Sequence, residues 1–223
     1  MSAPEQRGSL GAGLSRARVV VLAGPSGAGK SRLAARLQSI HGWPVVRLDD
    51  FYREGDDPAL PVADLAGGPP IVDWDDPASW DAPAAMHALD DLVTTGAARV
   101  PVYDIGRSAV SGVRTLTLSS SQLVVAEGIF AAEIIERLRA VGLLHSAWCV
   151  RHNRWVTFSR RLVRDLIERR KPPTVLVRRG LALCLTEPQL VERMKELGAT
   201  CASPSRVERA LAAPRRARSV PSE

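Results

Sequence analysis

The stretch Gly24-Pro-Ser-Gly-Ala-Gly-Lys-Ser31 decides the fold. It fills every specified position of the phosphate-loop pattern G-x-x-x-x-G-K-[ST]. Just before it, Arg18-Val-Val-Val-Leu-Ala23 is a short β-branched run of the kind that makes a buried strand. Just after it, Leu33, Leu37 and Ile40 recur at helical spacing. The motif therefore lies between a strand and a helix, where the backbone N–H groups of Gly27 to Lys30 curl around a phosphate at a helix N-terminus. Gly24, Ser26, Gly27, Ala28, Gly29, Lys30, Ser31 and Arg32 make up the expected nucleotide cradle. Lys30 is placed to reach the β- and γ-phosphates and the Ser31 hydroxyl to bind Mg²⁺. ATP and Mg²⁺ are the expected cofactors.

Outward from the loop, strands and helices alternate. Val45-Val46-Arg47-Leu48 reads as a second strand, and 55–77, rich in Asp, Pro and Gly, as a long loop or insertion. Asp81 is placed to cap a helix from Ala82 to Thr95 that stops at Gly96. Val100 to Tyr103, Arg114 to Leu118, Leu123 to Ala126 and Ala147 to Val150 read as strands, and Ala131 to Val141 as a helix ending at Gly142. Residues 154–170 read as helix, broken by Pro172-Pro173. Thr186-Glu-Pro-Gln189 has the form of a capping box opening a last helix through Leu197. This alternation predicts an α/β fold of the phosphate-loop NTPase type, a parallel sheet flanked by helices with ligands at the carboxyl ends of its strands and an Arg-rich helical lid. The predicted organisation is a disordered tail over 1–17, a single domain over 18–201 with its lid at about 154–180, and a basic, disordered tail over 202–223.

Composition narrows the function. The chain has 223 residues, 45% of them hydrophobic, enough for one domain with a proper core. No apolar run approaches the ~18 residues of a membrane span, and the N-terminus has no signal-peptide core, so a cytoplasmic protein without membrane contact is expected. The net charge of +6 is almost all arginine, since Lys30, Lys171 and Lys195 are the only lysines. It is concentrated in 151–179 and in the tail. That pattern fits an anionic small substrate better than nucleic acid. Cys149, Cys184 and Cys201 are far apart in sequence and form no C-x-x-C pair, which argues for buried reduced thiols over a metal or disulfide role.

Carboxylates at strand ends point to the chemistry. Glu127 follows Leu123-Val-Val-Ala126 and is placed to hold Mg²⁺, directly or through water. Asp49 and Asp50 follow the second strand, with Asp49 the better candidate to take a proton from an attacking hydroxyl. Arg160, Arg161, Arg164 and Arg169 lie on one predicted helix, as a lid over the phosphates or as a salt-bridged surface helix.

These residues carry a resemblance. In order, G-P-S-G-A-G-K-S at Gly24, L-D-D-F-Y-R at Leu48, D-W-D-D-P-A-S-W-D at Asp73, P-V-Y-D at Pro101 and V-V-A-E-G-I-F at Val124 are similar to the uridine–cytidine kinase family, within the group that includes phosphoribulokinase and pantothenate kinase. R-R-L-V-R-D-L-I-E-R at Arg160 resembles that family's lid. The resemblance implies an ATP-dependent kinase acting on a small-molecule hydroxyl, uridine or cytidine first. It implies that Asp49 is the catalytic base, that Asp75 binds the ribose 2′- and 3′-hydroxyls, and that Tyr103 and Tyr52 line the nucleoside pocket. Ser31 and Glu127 match the magnesium site, and Arg161, Arg164 and Arg169 match lid positions near the transferred phosphate.

The chain also departs from the family. The family's histidine after Y-D is missing from Ile105-Gly-Arg-Ser-Ala-Val-Ser-Gly112, so Arg107 or Ser108 takes its place or the base is not a pyrimidine. The lid's E-R-G-R becomes Glu168-Arg-Arg-Lys171. A pantothenate- or sugar-type acceptor, or a regulatory or nucleic-acid-associated ATPase, are the alternative readings, and homo-oligomerisation stays open. His41, His87, His145 and His152 lie outside the matched segments and read as structural or exposed.

Overall fold

The computed structural model describes residues 17–63, 71–118, 123–152 and 173–212, together with 159 and 163, and only the backbone for 173–184. Strands β1 (Arg18–Ala23), β2 (Val45–Arg47), β7 (Leu123–Glu127), β8 (Leu144–Val150) and β9 (Thr200–Ala202) form one sheet in the order β2-β7-β1-β8-β9. Every pairing in it is parallel. This is the expected α/β architecture.

Alternation along β1 explains why the sheet is buried on both faces. Val19, Val21 and Ala23 point into one cluster with Val124, Ala126 and Cys149, covered by helices α2 (Ala82–Thr95), α3 (Ile135–Ala140) and α4 (Pro173–Glu196) through Leu89, Leu92, Ile135, Leu138, Val191 and Met194. Val20 and Leu22 point the other way, to Leu33 and Leu37 of α1 (Lys30–His41) and Val207 of α5 (Pro204–Ala212). Leu22, Leu37 and Leu89 have no exposed surface, and each contributes about 1.5–3 kcal/mol by burial.

Two antiparallel pairs lie off this sheet: β3 (Val62–Ala63) with β4 (Ile71–Val72), and the longer hairpin of β5 (Ala97–Asp104) and β6 (Ala109–Thr117). The strands at Val100 and Arg114 are thus real but stand apart from the parallel sheet. The loop expected over 55–77 contains the short β3–β4 pair. The α2 helix has the caps read from its sequence: Asp81 Oδ1 accepts from Ala84 N at 2.9 Å, and Gly96 ends it at φ +81°. The helix expected from Ala131 begins as a 3₁₀ turn over Ala131–Ile134 before α3.

Two expectations need correction. Thr186 to Gln189 opens no helix, because α4 runs unbroken through them with Pro188 inside it. Packing of Val191 and Met194 against the sheet holds that helix on one line, overriding the local capping pattern. The segment 202–212 is not a tail: Ala202 closes the sheet edge, and α5 buries Val207 and ties Glu208 to Arg36 at 2.6 Å. Cys149 and Cys201, distant in sequence, are register partners on β8 and β9. Both are free thiols, and burial, with Cys201 adding, pushes the Cys149 thiol up to about 12. Of the expected lid, 173–180 form the start of α4 and Ser159 and Val163 are helical; its other residues and the outer parts of both tails lie outside the described residues.

Candidate active site

The carboxyl ends of β1, β7 and β2 bring the phosphate loop and three carboxylates together. The loop turns at Gly24 with φ +141°, where a Cβ would stand 2.3 Å from Val150 O, so no other residue fits beside β8. Gly29, at φ +93°, starts α1. Ala28 is buried, and its N–H closes the loop on Pro25 O at 3.2 Å. Lys30 is 7% exposed and donates to Gly24 O at 2.7 Å and Pro25 O at 3.2 Å, lying along the loop it serves. Ser26 and Gly27 are half-buried at the crest, and Ser31 and Arg32 are exposed on the first turn of α1.

Ser31 Oγ donates to Glu127 Oε2 at 3.1 Å. This joins the two residues expected to hold Mg²⁺, and a hydroxyl and a carboxylate are the hard oxygen donors that ion prefers. Glu127 is 3% exposed. Burial raises its carboxyl above the ordinary 4.5 and the Asp49 charge adds to this, while Lys30, Ser31 and Arg47 oppose it.

Asp49 and Asp50 sit in a 3₁₀ turn, Leu48–Phe51, immediately after β2, and face different ways. Asp49 is half-buried, and its Oδ1 accepts from Ile129 N at 2.9 Å. A Cβ on Gly128 would stand 2.7 Å from that same oxygen, so Gly128 leaves the room the carboxylate occupies. Asp50 is 4% exposed and turns towards the hairpin, 3.5 Å from Arg114 and 3.9 Å from Arg47, with Oδ1 accepting from Tyr103 N at 3.4 Å. Burial raises its carboxyl, against Arg47, the Tyr103 N–H and Arg114, with Asp49 adding to the rise. Of the two, Asp49 is the one beside the Ser31–Glu127 pair.

Beyond Asp49 lies an aromatic cluster. The Tyr52 ring is 5.8 Å from Trp74, 5.8 Å from Tyr103 and 5.9 Å from Phe130. Tyr52 OH donates to Trp74 O at 3.3 Å, and Tyr103 OH to Arg53 O at 2.9 Å. Burial, then Asp49 and Asp75, push the Tyr52 phenol well above its usual range, which places both carboxylates near this ring and keeps it neutral. Asp75 is exposed on the turn after β4, with its N–H on Asp73 Oδ1 at 3.0 Å. Trp80 is buried and anchors the cluster through Nε1 to Leu48 O at 2.7 Å. Arg107 is at the exposed tip of the hairpin, 3.7 Å from Asp104, and is not drawn into the cluster. Arg161, Arg164 and Arg169 lie outside the described residues.

Sequence reading missed Phe130, the inward turn of Asp50, and a cavity of about 530 Å³ lined by Arg151, His152, Cys201, Ala202, Ser203 and Arg206. The cavity opens at the carboxyl ends of β8 and β9, next to the loop: a Cβ on Gly29 would stand 3.8 Å from Pro204. The available signal was position, since Arg151 and His152 directly follow a strand end.

The same chain order and fold recur in known proteins. Over 87% of this chain and 91% of the other, the structure superposes on a candidate fructose transport system kinase from Silicibacter sp. TM1040, with a TM-score of 0.57 at 16% identity, a likeness of fold. In sequence, the inorganic pyrophosphatases TTM2 and TTM1 of Arabidopsis thaliana are 32% and 31% identical over 124 residues, 54% of this chain. The chain spans only 16% and 17% of those proteins' lengths. The profile of the phosphoribulokinase / uridine kinase family matches residues 19–172, from β1 through the loop, Asp49, the hairpin and Glu127. With that match covering most of the chain, the protein belongs to the phosphoribulokinase / uridine kinase family.

Proposed function

We propose that the chain transfers the terminal phosphoryl group of ATP to a hydroxyl of a small molecule, with the 5′-hydroxyl of a pyrimidine ribonucleoside as first acceptor. The observation that carries this reading is the position of Asp49, between the Ser31–Glu127 pair on one side and the Tyr52 aromatic cluster on the other. A base between a phosphate cradle and an aromatic pocket suits a hydroxyl attached to a planar ring. The acceptor oxygen bonds to the γ-phosphorus, the bond to the β-phosphate oxygen breaks, ADP leaves, and the acceptor proton passes to Asp49. Lys30 and the loop N–H groups hold the phosphates, and Arg161, Arg164 and Arg169 are assigned to the charge on the moving group. Ser31 and Glu127 would hold Mg²⁺, which would supply positive charge to offset that of the phosphates. The cleft at Arg151, His152, Ser203 and Arg206 adjoins the loop and takes the base end of the nucleotide. Asp75 receives the ribose hydroxyls.

A second reading, a sugar or other hydroxyl metabolite as acceptor, is favoured by Arg107. It pairs with Asp104 at an exposed tip, so of the two candidates for the place of the family's histidine only Ser108, whose side chain bonds the Tyr103 phenol, is near the aromatic cluster. The pyrophosphatase names of the plant relatives describe much longer proteins and are not carried to this chain.

Acceptor-dependent ADP release, screened over nucleosides, pantothenate and sugars, tests the proposal. Ribonucleosides are expected to turn over far faster than 2′-deoxy forms, because a site built for a hydroxyl leaves its own polar group unpaired with the analogue lacking it. Asp75→Ala is expected to erase the difference. Turnover of a sugar alone would establish the second reading, and nucleic-acid-stimulated hydrolysis with no small acceptor would contradict both.

A further inference from the structure

The hairpin of β5 and β6 carries Tyr103 but belongs to neither sheet neighbour, so something else must set its distance from the catalytic turn. Its tip is tied to the segment after Tyr52: Gly55 N donates to Ser108 O at 2.7 Å, Val110 N to Glu54 Oε1 at 3.2 Å, and Tyr103 OH to Arg53 O at 2.9 Å. Its base is tied to α2, where Leu118 N donates to Gly96 O at 2.8 Å. Between these ends, Ala98 and Val100 of β5 share the core with Leu48 and Phe51, and the polar contact reaching the catalytic turn is Asp50. One of its oxygens accepts from the backbone of β5 at Tyr103, and the other faces Arg114 on β6 and Arg47 at the end of β2. Asp50 therefore touches both strands of the hairpin and the strand that precedes the base.

We propose that Asp50 is a positioning residue, a clamp that sets the acceptor-binding hairpin against Asp49. The inference rests on the phosphoryl-transfer reading above. Its physical basis is an asymmetry between the partners. The Asp50 side chain is 5% exposed, and among the described residues Arg114 Nη2 is buried without a hydrogen bond, facing Asp50 as its counter-charge. Removing Asp50 leaves that guanidinium edge uncompensated, so the hairpin shifts to hydrate it. Asp50 is adjacent to the base in sequence, so a shift of the hairpin moves Tyr103 relative to Asp49 and leaves the phosphate loop, on β1, where it was. Acceptor binding and donor binding are thereby separated.

The test combines steady-state kinetics with hydrogen exchange on the full chain. In Asp50→Ala, amides of 97–117 are expected to exchange about 10-fold faster or more while those of β1 and β7 stay protected. The acceptor KM is expected to rise about 10- to 100-fold with ATP KM unchanged. Asp50→Asn keeps an oxygen for the Tyr103 N–H and is expected to recover part of the loss. Arg114→Met should reproduce it, and adding it to Asp50→Asn should cost little more, as expected of residues acting as a pair. Unchanged hairpin exchange in Asp50→Ala overturns the clamp, as does a fall in kcat at unchanged acceptor KM, which would make Asp50 the base. Equal rises in acceptor and ATP KM also overturn it. A wild-type protein inert towards every acceptor would instead overturn the functional reading, and the clamp is then judged on exchange alone.

Discussion

Glu127 carries its carboxyl at a place that disfavours charge. Its folded carboxyl is raised above 4.5 by burial and by Asp49. In the window between 4.5 and that raised value the folded state binds more protons than the unfolded chain, so stability is greatest below 4.5 and falls as pH rises through the folded value. Once ionised, the group therefore weakens the fold that it serves. Glu127→Gln keeps an oxygen for the Ser31 hydroxyl and removes the charge. Thermal melts without nucleotide are expected to show a higher Tm for the variant at pH 7–8, with the gap to the wild type closing in acid. Its turnover is expected to fall about 100-fold or more, since several kcal/mol of metal-assisted stabilisation is lost. An unchanged Tm at neutral pH would mean that Lys30 and Arg47 already offset the burial. Glu127, Ser31 and Lys30 were legible in the sequence because a strand end beside a phosphate loop leaves few places for a side chain to go. The inward turn of Asp50 was not, because it depends on Arg114, more than sixty residues away in the chain.

At the scale of elements, local signals were reliable where the element's own residues determine it. Asp81 and Gly96 cap α2 as read. They failed where packing decides. Thr186-Glu-Pro-Gln189 looks like a helix start, yet α4 passes straight through because Val191 and Met194 are buried against the sheet. Pro188 removes an N–H from that helix and crowds the preceding turn. Pro188→Ala is accordingly expected to stabilise the protein by about 1–3 kcal/mol, read from urea unfolding. A destabilised variant would show that the helix relies on the proline for a bend. The strands of the hairpin were also visible in the sequence, but their separation from the parallel sheet was not. Alternation gives a strand's faces and says nothing about which neighbour it pairs with.

For the whole molecule, the parallel sheet fixes a line along which the parts of the site are arranged. The Arg151–Arg206 cleft lies beyond β8 and β9, the phosphate loop follows β1, the Ser31–Glu127 pair joins α1 to β7, and Asp49 follows β2, with the aromatic cluster outside it. Among the described residues no helix is long and apolar enough to cross a membrane. The family and this order were readable because motifs keep their order along the chain. The aromatic cluster beyond Asp49 was not, because Tyr52, Trp74, Tyr103 and Phe130 meet only in three dimensions. The most direct test of the account is ADP release by Asp49→Asn, with and without the acceptor the wild type uses best. The variant keeps the contact to Ile129 N, so its fold and ATP binding are expected to survive, while acceptor-dependent turnover falls about 10²- to 10⁴-fold. Turnover within a few-fold of the wild type, in a folded protein that binds ATP normally, would contradict the role of Asp49 as the base between donor and acceptor.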